Sequence, residues 1–166
     1  MSFDYVANIN AVKQVLTDHN TTTASPDLST GLTTRVKAVS VFDPESQNIR
    51  SSDVPAVYVR LSTKTEEYAS LGNTGPAGNK KQAVVMYDVF GMYQREGIYS
   101  QEQDVLNEIY KLASNIEGVI QSEMTLSNTA LWCNIEETDF SPVAVADDGI
   151  FIKSVKVNIS AKYLFR

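Results

Sequence analysis

The C-terminal segment, residues 150–165, has the strongest alternation of apolar and polar side chains in the chain. Apolar residues occupy one side and polar residues the other: Phe151, Val155, Val157, Ile159, Ala161, Tyr163 and Phe165 against Ser154, Lys156, Asn158, Ser160 and Lys162. A period of two residues predicts a β-strand with one buried face. The strand would span on the order of 50 Å at about 3.3 Å per residue, whereas a domain of this size is roughly 40 Å across. It therefore either bends at bulges or extends beyond the body of the domain.

A second predicted strand, residues 81–94, is apolar on both faces. Ala83, Val85, Tyr87, Val89 and Tyr93 lie on one face, and Val84, Met86, Phe90 and Met92 surround Asp88 on the other. Both faces must be covered. A layer of helices can cover one face, and the other requires a second sheet or another molecule. Strands of this kind are typical of a subunit of an assembly, although strong twist and bulges would also accommodate them.

Two amphipathic helices and three further strands complete the predicted order α-β-β-β-α-β-β. The helices cover residues 4–18 and 100–118, and the strands cover residues 35–42, 54 to at least 61, and 129–137. Ser100 and Gln103 match a capping box at the start of the second helix, and Gly118 is expected to end it. The sequence thus predicts one α+β domain, residues 1–166, with both helices packed on one face of a mostly antiparallel sheet.

The turn-rich segment between the second and third strands predicts a recognition element. The alternation of the second strand continues weakly to residue 67, and glycine, asparagine and lysine residues follow it: Gly72, Asn73, Gly75, Gly78, Lys80 and Lys81. They do not form a phosphate loop, because a Walker motif places Lys-Ser or Lys-Thr directly after its last glycine. Residues 62–80 are either an unstructured loop or the end of a long β-hairpin arm, and we favour the arm. The six residues are therefore the candidate subunit-interface arm.

The charge balance argues against a protein that grips nucleic acid. The 166 residues carry a net charge of −6, and Lys80–Lys81 is the only adjacent basic pair. Phosphate binding needs clustered Lys and Arg. A negative surface is compatible with DNA passing without specific binding, but acidity is also the commonest route to solubility. No apolar run approaches the roughly 18 residues of a membrane span. The N-terminal residues lack the pattern of a secretory signal, and we expect the chain to fold in a cytoplasm.

No combination of residues predicts catalysis, a cofactor or a metal ion. His19 is the single histidine and lies at the end of a helix, where it suits the helix dipole better than it suits catalysis. Cys133 stands alone, and we expect it to be a small core residue. The acidic loop at residues 136–149 carries Glu136, Glu137, Asp139, Asp147 and Asp148, whose spacing matches no EF-hand. We therefore expect a protein that is not an enzyme.

The order of the elements and their patterns of apolar and polar residues resemble those of the tail terminator, or tail completion, proteins of long-tailed bacteriophages. The similar segments are residues 54–61 (VPAVYVRL), residues 81–93 (KQAVVMYDVFGMY), the second helix at residues 100–117, and residues 155–166 (VKVNISAKYLFR). The resemblance covers most of the chain from Val54 onward. The polar connection at residues 21–34 and the acidic loop are longer than a minimal member needs, as in a divergent version of the family.

The resemblance implies a structural virion protein. Members of this family form a ring, commonly a homohexamer, on the head-proximal end of the tail tube. The ring stops polymerisation of the tube and presents a docking surface to the head–neck complex. The implied partners are further copies of the chain, the tail tube protein and the connector proteins, and the implied location is the virion after assembly in the host cytoplasm. A neck or tail tube subunit is the first alternative. A small monomeric ligand-binding or enzymatic domain that uses the acidic loop is the second.

Overall fold

The computed structural model describes residues 3–47, 49–68, 81–94, 102–140, 144–145 and 151–165. The elements in chain order are α1 (Tyr5–Asp18), β1 (Ala38–Val41), a short 3-10 helix (Ser51–Asp53), β2 (Ala56–Tyr68), β3 (Lys81–Tyr93), α2 (Glu102–Ser122), β4 (Trp132–Asp139), β5 (Ala144–Val145) and β6 (Phe151–Phe165). The protein has an α+β fold with a mixed, mostly antiparallel sheet, and the predicted order of elements is confirmed.

The sheet has the strand order β1-β2-β3-β6-β4, with the long strands at its centre. β1 runs parallel to β2, all other neighbours are antiparallel, and the two-residue β5 pairs with the start of β6. The pairing of β3 with β6 continues without a register shift from Tyr93–Lys153 to Lys81–Phe165. Register shifts occur instead in the flanking strands, at Ser62 of β2 and at Glu136 of β4. The C-terminal strand therefore keeps its predicted length and alternation.

Both helices pack on the same face of the sheet. Alternate side chains of the central strands form the floor of this core, and the apolar stripes of the helices cover it. Its members include Val12, Val15 and Leu16 of α1, Ile109, Leu112, Ile116 and Ile120 of α2, and Val85, Tyr87, Val89, Val157 and Ile159 of the sheet. Gly91 permits the close approach of α2, because a Cβ atom there would lie 2.9 Å from both Leu112 Cδ2 and Val155 Cγ1.

The face opposite the helices, which we call the open face, is covered at one end by the chain itself. Phe90 and Met92 of β3 pack there against Ile49 and Val54, and the half-buried Phe42 joins the same cluster. The connection between β1 and β2 thus supplies the cover. The expectation that this face needs a second sheet or another molecule is therefore wrong for Phe90 and Met92, since a few apolar anchors in a connecting segment suffice.

Some element boundaries differ from the predicted ones: β1 and β4 lie at Ala38–Val41 and Trp132–Asp139 rather than at residues 35–42 and 129–137. α2 continues past Gly118 to Ser122, so the expectation that Gly118 ends the helix is wrong. Val119 and Ile120 are fully buried, and their burial outweighs the roughly 1 kcal/mol that a glycine costs inside a helix. β2 continues to Tyr68, beyond its clearly apolar part. Ser100 and the side chain of Gln103, the proposed capping box, lie outside the described residues.

Candidate assembly surface

The candidate interface arm lies largely outside the described part of the chain. Of the six residues that the sequence singles out, Gly72, Asn73, Gly75, Gly78 and Lys80 lie outside it, and Lys81 is the first residue of β3. Lys81 pairs with Tyr68 of β2 and with Phe165 of β6, and its Nζ lies 3.5 Å from Glu66 Oε2. The structure therefore places the base of the arm at the far end of the sheet.

The hairpin of β2 and β3 contains a bulge in β2, after which the β2 side chains lie on the opposite faces of the sheet. Before the bulge, Leu61 of β2 pairs with Tyr87, on the helix side; after it, Thr63 pairs with Met86, on the open face. A bulge adds one residue to one strand and so moves the following side chains to the opposite face. Thr63, Thr65 and Glu67 consequently line the open face beside β3. They are exposed and polar.

The open face has an uncovered apolar area at the same end of the sheet. Trp132 of β4 pairs with Lys162 of β6, which pairs with Val84 of β3, so these three side chains lie in one row. Trp132 is 38% exposed and Leu164 is 43% exposed, while Val84 and Met86 are half-buried. Both helices lie on the other side of the sheet, so neither covers this area. Apolar side chains grouped in this way are typical of interaction surfaces.

An ionic cluster centred on Arg60 occupies the middle of the open face. Arg60 Nη2 donates to Asp88 Oδ2 at 2.5 Å, and Nη1 donates to Asp43 Oδ1 at 3.0 Å and to Glu45 Oε2 at 2.6 Å. The guanidinium carbon lies 5.0 Å from the centroid of the Phe90 ring. The cluster therefore binds the connection after β1 to the sheet and covers Phe90.

Arg60 keeps the buried Asp88 neutralised. The Asp88 side chain is only 4% exposed, and a buried carboxylate requires a charged partner. Burial alone would lower the pKa of Arg60, but the hydrogen bonds to Asp88, Glu45 and Asp43 raise it well above its usual range. The guanidinium is therefore permanently charged. This arrangement attaches the connection after β1 to the sheet.

A polar cleft of about 160 Å³ lies on the helix side and was not predicted from the sequence. It is lined by Thr33, Tyr93, Asp104, Asn107, Glu108 and Lys111. Glu108 Oε2 accepts from the Thr33 N–H at 2.9 Å, and Oε1 accepts from Lys111 Nζ at 3.0 Å. Burial would raise the pKa of Glu108, but these hydrogen bonds lower it. The cleft is smaller than the roughly 300 Å³ at which ligand pockets begin, and its carboxylate serves to attach the connection before β1 to α2.

His19 and Cys133 both lie near the C-terminal end of α2. His19 is the C-cap of α1; its Nδ1 lies 2.7 Å from the Pro26 carbonyl oxygen and its Nε2 lies 3.6 Å from Glu123 Oε1. Cys133 is buried, and burial raises the pKa of its thiol to about 11. The thiol is therefore protonated at neutral pH and is a poor nucleophile there.

The acidic loop is described at residues 136–140 and 144–145. Glu136, Glu137 and Asp139 belong to β4, which is an edge strand, and Asp147 and Asp148 lie outside the described residues. The Ser160 hydroxyl donates to Glu136 Oε1. Within the described ranges, no group of three or more His, Cys, Asp or Glu residues is placed to hold a metal ion. Charged side chains along an edge strand discourage uncontrolled strand pairing.

Neither helix in the described part of the chain combines the length and hydrophobicity that a membrane span requires. The open face and the hairpin of β2 and β3 are the features that distinguish this chain from an ordinary packed α+β domain. Comparison of the sequence with protein-family models finds no match, and neither does comparison with curated proteins.

Proposed function

We propose that the chain is a structural subunit that assembles with copies of itself into a closed ring, and that this ring is the tail terminator of a long-tailed bacteriophage. The ring caps the head-proximal end of the tail tube, stops its polymerisation and presents a docking surface to the neck. Its subunits catalyse no reaction and hold no cofactor. The resemblance in element order supports the phage assignment, and the open face supports self-assembly.

The observation that carries the self-assembly proposal is the uncovered apolar area of the open face. Trp132 and Leu164 are large side chains that remain 38% and 43% exposed, with Val84 and Met86 beside them. Lys162 and the exposed threonines of β2 surround this area, and an apolar centre with a polar rim is the usual composition of an interface. Burial of such side chains stabilises an association by about 25 cal/mol per Å² of apolar surface.

The hairpin arm is the proposed counterpart of the open face. β2 and β3 remain paired to Tyr68 and Lys81, so the arm starts from the far end of the sheet, beside the uncovered area. We place the arm of one subunit on the open face of the next. Two different surfaces that meet in this way form a heterologous contact, which closes into a ring when the rotation between subunits allows it.

A closed ring explains how growth ends. A tail tube lengthens by repeated addition, whereas a terminator must associate with itself and then stop. The chain has a net charge of −6, which is compatible with a channel through which DNA passes without strong binding.

Light scattering coupled to size-exclusion chromatography tests the assembly. The wild-type chain is expected to form a closed oligomer, and Trp132→Lys is expected to give monomers because a charge then lies in the interface. Tyr110→Lys is the matched control: Tyr110 is 46% exposed, but it lies on α2, away from the open face. Electron micrographs should show rings for the wild type and for the control variant.

Two outcomes would contradict the proposal. Equal oligomerisation by wild type and Trp132→Lys would exclude the open face as the interface. Open-ended tubes in the micrographs would instead identify a tail tube subunit.

A further inference from the structure

The far end of the sheet, where β2, β3 and β6 end together, is the margin of the main core, which Ala83, Val85 and Tyr163 still reach. After the bulge, β2 pairs with β3 from Thr63–Met86 to Tyr68–Lys81, and β3 pairs there with β6 as far as Phe165. The β2 side chains in this part are mostly polar and exposed. Strand ends with little apolar burial open more readily than a core does.

Residues at the start of α1 reach this end of the sheet and pack on it. The ring of Phe3 is 7% exposed and contacts the edges of Tyr163 and Phe165, with centroid distances of 5.3 and 5.6 Å. Phe3 also contacts Tyr5 at 5.2 Å. The ammonium of Lys64 lies 4.9 Å from the Phe3 centroid, 5.0 Å from that of Tyr5 and 5.7 Å from that of Phe165. Three aromatic rings therefore surround one cation of β2.

The environment of Lys64 strengthens these contacts. Its side chain is only 14% exposed, and its ammonium also pairs with the carboxylate of Glu66. Hydrogen bonds to Glu66 and Tyr5 raise the pKa of Lys64, and Lys64 in turn lowers the pKa of Glu66. Both groups are therefore charged at neutral pH. A cation held against aromatic faces with little water is attracted more strongly than an exposed one.

We infer that Phe3, Tyr5 and Lys64 form an N-terminal clamp that keeps the far end of the sheet paired and that opens without unfolding the rest of the protein. The clamp is at the surface, since Tyr5 is 46% exposed and Val6 is 69% exposed. α1 keeps its own N-terminal cap, because Asp4 Oδ1 accepts from the Ala7 N–H at 2.9 Å. The first turn of α1 is therefore capped whether or not the clamp is closed.

The clamp determines how stiff the hairpin is. When it is closed, the three strand ends form one continuous extension of the sheet; when it is open, they fray toward the bulge at Ser62. A role for the clamp in ring formation rests on the proposed function, because the hairpin leads to the arm. The effect of the clamp on the pairing of the strand ends does not rest on the proposed function.

Hydrogen–deuterium exchange followed by mass spectrometry tests the clamp. Phe3→Ala and Lys64→Met are expected to speed exchange about tenfold in peptides covering residues 63–68 and 81–86, because cation–π and ring contacts are lost. Exchange at the strand centres, around Val89 and Val157, should stay unchanged. Lys64→Arg retains the cation and should retain the protection. Lys13→Met, on α1, controls for the loss of one positive charge.

The possible outcomes distinguish the inference about the clamp from the proposal that the protein forms a ring. Unchanged exchange at the strand ends in both Phe3→Ala and Lys64→Met would overturn the inference, as would a uniform increase over the whole sheet. Faster exchange confined to the strand ends supports the clamp whatever the oligomeric state. If the same variants then form rings as well as the wild type, the clamp stands and ring formation does not depend on it.

Discussion

At the residue scale, Arg60 determines whether Asp88 can be buried on the open face. The carboxylate of Asp88 is nearly inaccessible to water and accepts two hydrogen bonds from one guanidinium. The same guanidinium holds Asp43 and Glu45, which follow β1. Removing the arginine therefore has two effects: a charge is left buried, and the segment that covers Phe90 is released.

Arg60→Met is expected to lower the free energy of unfolding by about 3 kcal/mol, because Asp88 is left buried without a positive partner. The double variant Arg60→Met/Asp88→Leu removes both charges and should be clearly more stable than the single variant. Urea unfolding followed by circular dichroism measures both. A double variant that is no more stable than Arg60→Met would show that the buried charge is not the cause of the loss.

The buried tyrosine pair predicts a loss of stability at alkaline pH. The hydroxyls of Tyr87 and Tyr163 lie 2.9 Å apart in the core. Burial raises the pKa of both, to about 12 for Tyr163. Tyrosine in an unfolded chain titrates near pH 10. Above that pH the unfolded chain has lost protons that the folded protein still holds, so stability falls as the pH rises.

Ionisation of this pair should therefore leave the unfolding free energy of the wild type unchanged below about pH 10 and should lower it between about pH 10 and 12. Tyr87→Phe/Tyr163→Phe removes both titrating hydroxyls and should show a shallower fall over the same range. Urea unfolding at about pH 8 and about pH 11 provides the comparison. Parallel pH profiles for the two proteins would rule out the pair as the source.

At the scale of the elements, two glycines predict effects of opposite sign. An alanine Cβ at Gly91 would lie 2.9 Å from atoms of α2 and β6, whereas one at Gly118 would meet only Pro26 Cβ at 4.0 Å. Gly91→Ala is expected to destabilise the protein by about 1–3 kcal/mol through overpacking. Gly118→Ala is expected to stabilise it by about 0.5–1 kcal/mol, because alanine favours the helix. Thermal unfolding of both variants checks the signs, and two shifts in the same direction would contradict this account of the packing of α2.

Periodicity predicts those elements whose pattern is a direct result of burial on one face. β6 and α1 have such patterns, and their predicted and observed bounds nearly coincide. The cover of Phe90 and Met92 was missed because Ile49 is an isolated apolar residue in a polar connection and because Val54 was assigned to the strand that follows. The cleft at Glu108 was missed because its partner Thr33 lies 75 positions away in the chain.

The candidate surface was only partly predictable for the same reason. The sequence marks the hairpin tip through its glycines and turn residues, and it marks β3 as apolar on both sides. The sequence does not show which part of the open face stays uncovered. That depends on where the connection after β1 packs, and the half-buried Met86 and exposed Trp132 become visible only once that connection is in place.

At the scale of the whole molecule, the arrangement of surfaces favours a head-to-tail contact. The two edges of the sheet are different strands, β1 and β4, and the arm and the open face are different surfaces. In a symmetric dimer the arm of each copy would have to reach the open face of the other copy at the same time. A ring instead lets every arm meet a neighbouring open face, and it leaves no surface free for further growth.

Mixing two defective variants tests this geometry. One variant carries Trp132→Lys and keeps its arm; the other lacks residues 72–79 and keeps its open face. Each alone is expected to be monomeric, because every contact in a head-to-tail ring needs both surfaces. The mixture should form dimers with one copy of each variant and should go no further, since the two surfaces left over are the defective face of one copy and the truncated arm of the other. Native mass spectrometry distinguishes such mixed dimers by mass, and a mixture that remains monomeric would show that the arm and the open face do not meet.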